Sequence, residues 1–172
     1  MKIIPGKLDL QAAGGYGALG SALNNFLPDV TYDSTGKPAA IYERALGLNL
    51  IPHPHRNVDI YLMAGVEKAQ QAGINGGATA ANAYGYGNPG AFNGASCETL
   101  STLTGSCAQD TQTVWNVMAE VSWRMFNSPK WGHFDAMPQV QYGRRILFRG
   151  ADGIAPSTTD WATELCFRYW PW

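Results

Sequence analysis

Residues 112–126 read QTVWNVMAEVSWRMF. Thr113, Trp115, Val117, Ala119, Val121, Trp123 and Met125 fall on one side of an extended chain, and Gln112, Asn116, Glu120, Ser122 and Arg124 on the other. Successive side chains of a β-strand point to opposite faces, so this alternation predicts a strand with one apolar and one polar side. The same period recurs along the chain. In 57–67, Val58, Ile60, Leu62, Ala64 and Val66 oppose Asp59, Tyr61, Met63, Gly65 and Glu67. In 133–145, Phe134, Ala136, Val140 and Tyr142 oppose His133, Asp135, Gln139, Gln141 and Arg145. In 159–169, Trp161, Thr163, Leu165, Phe167 and Tyr169 oppose Asp160, Glu164, Cys166 and Arg168. Segment 39–51 alternates less cleanly, since Arg44 shares a side with Tyr42 and Leu46 against Glu43. It sits near an interface where it can snorkel, or the strand carries a bulge. Segment 7–17 is weak and glycine-rich. Helical periodicity is nearly absent. The expected fold is all-β, an antiparallel up-and-down meander of about six strands.

Composition narrows what such strands can face. The 172 residues carry 12 basic and 13 acidic side chains, a net charge of −1, with 15% charged. Soluble domains average roughly 25%. Near-neutrality argues against nucleic acid, which calls for a basic face, and against a polybasic membrane-surface binder. No apolar run approaches the 18 or so residues of a spanning helix. Two classes remain: a secreted β-rich protein, or a protein whose strands face lipid.

The aromatic spacing favours lipid. Trp115 and Trp123 share a side 8 residues apart, as do Phe134 and Tyr142, and Trp161 and Tyr169. At about 3.3 Å per residue that is roughly 26 Å of strand, or about 20 Å of depth at a tilt of about 40°. Barrel proteins of outer membranes have an apolar band of about 25 Å bounded by aromatic girdles. These six aromatics are therefore expected to form a lipid-facing girdle, with no charge between the members of each pair. The opposite sides carry Glu43, Asp59, Glu67, Glu120, Asp135 and Glu164 with Arg124, Arg145 and Arg168. Burying unpaired charges is costly, so these nine are expected to line a water-filled or salt-bridged lumen. In a soluble sandwich they would be the solvated outer faces.

The connections alternate in length. Turns 52–56 (PHPHR) and 127–131 (NSPKW) are short and Pro-punctuated, and are expected to be periplasmic. Links 18–38, 68–111 and 146–158 are long. Within 68–111, residues 69 to 97 are 29 consecutive uncharged residues with seven Gly, four Asn and eight Ala. This reads as an extended, extracellular surface loop without a packed core. Cys97 and Cys107 flank a Ser/Thr/Gly-rich stretch inside it and could close a disulfide worth roughly 3 kcal/mol in an oxidising compartment. Two free surface thiols are the alternative. Cys166 reads as a small apolar strand residue.

The final residues, WATELCFRYWPW, alternate aromatics and end on one. They resemble the last strand of bacterial outer-membrane β-barrel proteins, where a terminal aromatic signals to the insertion machinery. Cys97…Cys107-Ala-Gln-Asp-Thr, an aromatic-rich strand and FRYWPW are similar to the C-terminal part of porin-like outer-membrane proteins, over about residues 38–172. The resemblance implies a place in the outer membrane and passive passage of small solutes or a structural role. It implies no catalytic residue and no cofactor. Pro171 departs from the pattern by putting Trp170 and Trp172 out of phase with Phe167 and Tyr169. The opening MKIIPGKLDL also lacks the apolar stretch of a leader.

Single-chain barrels of this kind have at least eight strands, and open edges do not survive in hydrocarbon. Missing N-terminal strands, strands from other chains, or a hairpin hidden in 68–111 would complete the count, and a truncated segment spanning 1–172 is the favoured expectation. Other chemistry is weaker. His53-Pro-His55 invites a metal but sits in a Pro-flanked turn. Glu120 and Glu164 invite an acid–base pair but sit on ordinary period-two faces. GGYG at 14–17 lacks the strand–loop–helix setting of a phosphate loop. Alternatives from other classes are a secreted β-sandwich binding carbohydrate or protein through surface Trp residues, and a subunit of an extracellular assembly.

Overall fold

A computed structural model describes residues 2–4 (backbone only), 6–18, 28–74, 84–88 and 109–171. Cys97 and Cys107, with the disulfide expected between them, lie outside the described residues. Among the described residues nine strands run in order: β1 (Lys2–Ile4), β2 (Leu8–Gly17), β3 (Val30–Tyr32), β4 (Pro38–Ala40), β5 (Glu43–Pro52), β6 (Val58–Ala69), β7 (Thr111–Ser128), β8 (Gly132–Leu147) and β9 (Ser157–Trp170). Seven form one antiparallel sheet in the order β1-β2-β5-β6-β7-β8-β9, and β3 and β4 pair separately. The meander is as expected, and the six expected strands are β2 and β5 to β9. The short β1 is additional, and the sheet is not closed.

Two boundaries differ from expectation. The strand expected over 39–51 begins only at Glu43, because Pro38–Ala40 pairs with Val30–Tyr32 instead, and Ile41 between the two pairings is fully buried. The link expected at 68–111 is shortened by its neighbours, since β6 runs through Ala69 and β7 starts at Thr111. Part of that link is also not an extended surface loop. Tyr86 bridges back to Ala72 and is buried, and Gly85 N–H donates to the Tyr32 carbonyl.

The register explains the faces. β5, β6 and β7 pair without a slip from Leu46↔Val66 and Val66↔Trp115 through Leu50↔Leu62 and Leu62↔Ala119. Directly opposed residues share a face, so Leu, Val, Ala and Trp accumulate on one side of the sheet. Arg44 opposes Lys68 in this unbroken register, so no bulge accounts for it. β7 instead slips twice against β8, between Thr111 and Thr113 and between Arg124 and Phe126. The second slip, at Met125, brings Phe126 onto the apolar face opposite Phe134. At the start of β8, Gly132 has φ +84°, and a Cβ there would overlap the Trp170 carbonyl, so the turn after Pro129 requires glycine.

Among the described residues the packed apolar core is small and lies at the long-loop end. Ile41, Ala69, Tyr86 and Phe148 form it, with the Tyr86 and Phe148 rings edge-to-face at 5.6 Å. Gly87 has φ +73°, and a Cβ there would meet the Phe148 ring at 2.8 Å, so its lack of a side chain lets the link close over that ring.

Candidate functional site: a polar trough behind an apolar face

All nine charged residues expected to share one side do so by register. Tyr61↔Glu120, Glu120↔Gln139 and Gln139↔Glu164 run across four strands, and Arg124↔Asp135↔Arg168 across three, four residues further along each strand. Five of the nine (Asp59, Glu120, Arg124, Asp135 and Arg168) line one trough of about 710 Å³ with residues from each of β5 to β9. Glu164 accepts a 2.6 Å hydrogen bond from Gln139, whose strand stands between it and Glu120, so the two carboxylates form no acid–base pair.

Glu43, Glu67 and Arg145 lie apart from the trough at the long-loop end. Glu43 and Glu67 are buried at 4% and 2% exposure, and their carboxyls meet one another. Arg145 donates to Thr111 Oγ1 at 2.6 Å. The link closes over this end. Tyr86 O–H donates to the Thr111 carbonyl and Gly87 N–H to Asp110 Oδ2, both at 2.6 Å. Burial holds Asp110 above the usual carboxylate range, while the Gly87 N–H acts in the opposite sense. Burial first, with the neighbouring Asp110 carboxylate, pushes the Tyr86 hydroxyl up as well.

The short-turn end holds a cluster the sequence did not signal. His53 meets Asp59 Oδ1 through Nδ1 at 2.6 Å and Asp9 Oδ2 through Nε2 at 3.7 Å. The hydrogen bond to Asp59 raises the His53 pKa above its ordinary value, against partial desolvation. Because the two aspartates use opposite ring nitrogens, they do not converge on one point. Among the described residues no group of three or more His, Cys, Asp or Glu side chains is placed to hold a metal ion. Further along, Asp135 lies between Arg124 (3.9 Å) and His133 (3.7 Å), and Arg168 sits over the Trp170 ring at 5.4 Å. Trp170, out of phase in the sequence, thereby joins the polar side.

The six aromatics expected to share the other face also do so. Trp115, Tyr142 and Trp161 form one row across β7, β8 and β9, with ring centroids 5.4 and 4.6 Å apart. Phe126, Phe134 and Phe167 stack in a second row at 5.9 and 5.7 Å, flanked by Trp123 and Tyr169. Phe126 was missed because the Met125 slip changes its parity. Between the rows lie Val117, Ala119, Val140 and Leu165, and this face is bare: Trp161 is 68% exposed, Leu165 60% and Val117 44%. The polar side, by contrast, holds the buried Glu43, Glu67 and Asp135.

Fold and site together define an all-β protein whose main sheet, of seven antiparallel strands, is apolar on one side and charged on the other. A scan against protein-family models found no match, nor did comparisons with curated proteins and with solved structures.

Proposed function

We propose that the chain is a segment of a bacterial outer-membrane β-barrel, porin-like, that lets small solutes pass by passive diffusion or serves a structural role. The observation that supports this most is the reversal of the soluble pattern. Large apolar side chains between two aromatic rows are bare, while carboxylates are among the best-shielded groups. In water such a face is an aggregation liability, whereas acyl chains would cover it without cost. Among the described residues no helix is long and apolar enough to cross a membrane, so strands are the elements that would do so.

In this reading Trp115, Trp123, Phe134, Tyr142, Trp161 and Tyr169 are the lipid-facing girdle. Glu43, Asp59, Glu67, Glu120, Arg124, Asp135, Arg145, Glu164 and Arg168 face the lumen and set its selectivity, and no residue performs covalent chemistry. The long links are extracellular and the short turns periplasmic. The free edges of β9 and of β1 with the rest of β2 pair with further strands, from residues upstream or from other chains, because hydrocarbon does not tolerate unpaired backbone.

Detergent dependence tests the proposal. The purified chain is expected to require detergent, to insert into liposomes, and to show lipid-contact protection at Val117, Ala119 and Leu165. A chain that stays monodisperse in plain buffer would overturn it. Quenching of its Trp fluorescence by sugars would then point to a carbohydrate-binding sandwich, and sedimentation as a polymer to an extracellular assembly.

A further inference from the structure

Charge is distributed unequally between the two faces in a way the lumen reading does not use. On β2 and β5 to β9 every acidic residue belongs, by register, to the polar side. The apolar side of these strands has three charged residues, Arg44, Lys68 and Arg144, and all are basic. They gather at the long-loop end. Arg44 opposes Lys68 directly, and Arg144 opposes Trp115, one face-step closer to the centre of the sheet.

Like charges directly opposite on neighbouring strands repel. Nothing acidic offsets this pair: Arg44, Lys68 and Arg149 take part in no salt bridge among the described residues. The neighbouring carboxylates Glu43 and Glu67 have the opposite parity and lie behind the sheet. Arg44 is instead braced over the Tyr16 ring at 5.6 Å, and Tyr16 stacks on Tyr42.

A pocket of about 460 Å³ opens at this place. Arg44, Lys68 and Arg149 line it together with the amides of Gln70, Gln71 and Gln112, and no acidic residue does. Gln112 is there because β7 slips against β8 between Thr111 and Thr113, which leaves it without a strand partner. Gln71 donates to the Gly87 carbonyl at 2.8 Å, and the three cations with the amides of Gln70 and Gln112 make a site for an oxyanion. Immediately below on the same face come Leu46 opposite Val66, then Leu48 opposite Ala64. Two residues of strand are roughly 7 Å, so an anion in the pocket lies just above the start of the apolar surface.

We propose that this pocket binds the phosphate of an anionic phospholipid headgroup, whose acyl chains run down the Leu46–Val66 side of the sheet. The assignment rests on the membrane reading above and adds to it a chemical class of lipid and a leaflet, the one at the long-loop end. Phosphate neutralises the Arg44–Lys68 repulsion, and the adjoining apolar face holds the rest of the molecule. The apolar attachment distinguishes the ligand from free phosphate.

The test uses the full chain in micelles of dodecyl maltoside, which carry no charge, titrated with phosphatidylglycerol, phosphatidylcholine or inorganic phosphate. Binding is read by native mass spectrometry and by the thermal midpoint of the β-sheet circular dichroism. Phosphatidylglycerol is expected to bind and raise the midpoint, less so as salt is added. Phosphatidylcholine and inorganic phosphate at the same concentration are expected to do neither.

Arg44→Gln, Lys68→Gln and Arg149→Gln are expected to weaken phosphatidylglycerol binding about fivefold each, the equivalent of about 1 kcal/mol per surface base. The triple variant is expected to lose about 100-fold, and Lys68→Arg to retain affinity. All three side chains are exposed, so the variants should fold. Equal binding of the two lipids, or undiminished binding by the triple variant, would overturn the assignment. Binding of inorganic phosphate as strong as that of the lipid would overturn it in favour of a free-anion site. The two failures are distinct: a chain dispersed in buffer without detergent sinks the membrane reading, and a detergent-requiring chain indifferent to headgroup charge sinks only this one.

Discussion

Apolar side chains meet two different fates in this molecule. At the long-loop end Ile41, Ala69, Tyr86 and Phe148 pack against one another with 0–5% of their surface exposed. On the outward face Leu46, Val117, Trp161 and Leu165 stand at 44–68% exposure. The residue types are the same and the difference is what covers them. The knot is assembled from four separated stretches of chain, so protein fills its surroundings. The face is a regular product of strand parity, and among the described residues nothing is laid over it. Burial is worth about 25 cal/mol per Å² wherever it occurs, so the knot contributes stability within the chain and the face contributes it only when something else arrives.

Substitutions should separate the two regions. The largest effect is expected at Phe148→Ala, which opens a cavity beside Tyr86 and Ile41 and should cost about 3–5 kcal/mol. Urea titration of the folded chain in uncharged dodecyl maltoside micelles would measure it. Val117→Arg comes next. Placed between the aromatic rows, two residues from Trp115, it should cost about 2 kcal/mol for folding into bilayers, because the penalty of about 2–4 kcal/mol at the midplane falls toward the interfaces. Met118→Arg, one residue on and on the polar side by register, should cost under about 1 kcal/mol. Equal costs at 117 and 118 would erase the distinction between the faces.

The contrast was half visible in the sequence. Period-two alternation in β6 to β9 disclosed the faces because register preserves parity from strand to strand, and the nine charges and six aromatics followed from it. The knot was hidden. Ile41, Tyr86 and Phe148 lie in links, where no periodicity marks an inward side chain, and the Gly- and Ala-rich composition around Tyr86 suggested bare loop. Asp9 was hidden for another reason: the glycines of β2 weaken the alternation that would have placed it with His53 and Asp59. Phe126 needed the Met125 slip, which depends on how two strands pair and is written in neither alone.

Tyr86→Phe sharpens the comparison on a smaller scale. It keeps the ring in the knot and removes the hydroxyl that donates to the Thr111 carbonyl. A cost of about 1–2 kcal/mol is expected, the penalty of leaving a buried acceptor unpaired. If the cost is near zero, the knot is held by packing alone.

The smallest effect belongs to the opposite end of the sheet, where the groups are polar and half-buried. The hydrogen bond that His53 donates to Asp59 stabilises its charged form, so its pKa in the folded chain lies above the ordinary 6.5. A raised histidine stabilises the fold most when the pH is below its unfolded value, and that contribution fades as pH rises through the raised folded one. Titration of the His53 ring protons by NMR is therefore expected to give a midpoint above 6.5, and Asp59→Asn to lower it. The outward face contains no titrating partner for this histidine, so its midpoint should be indifferent to whether detergent or bilayer covers that face. A midpoint that moved with the surrounding lipid would mean that the short-turn end is not independent of the apolar side, and the separation of the faces would hold only away from the turns.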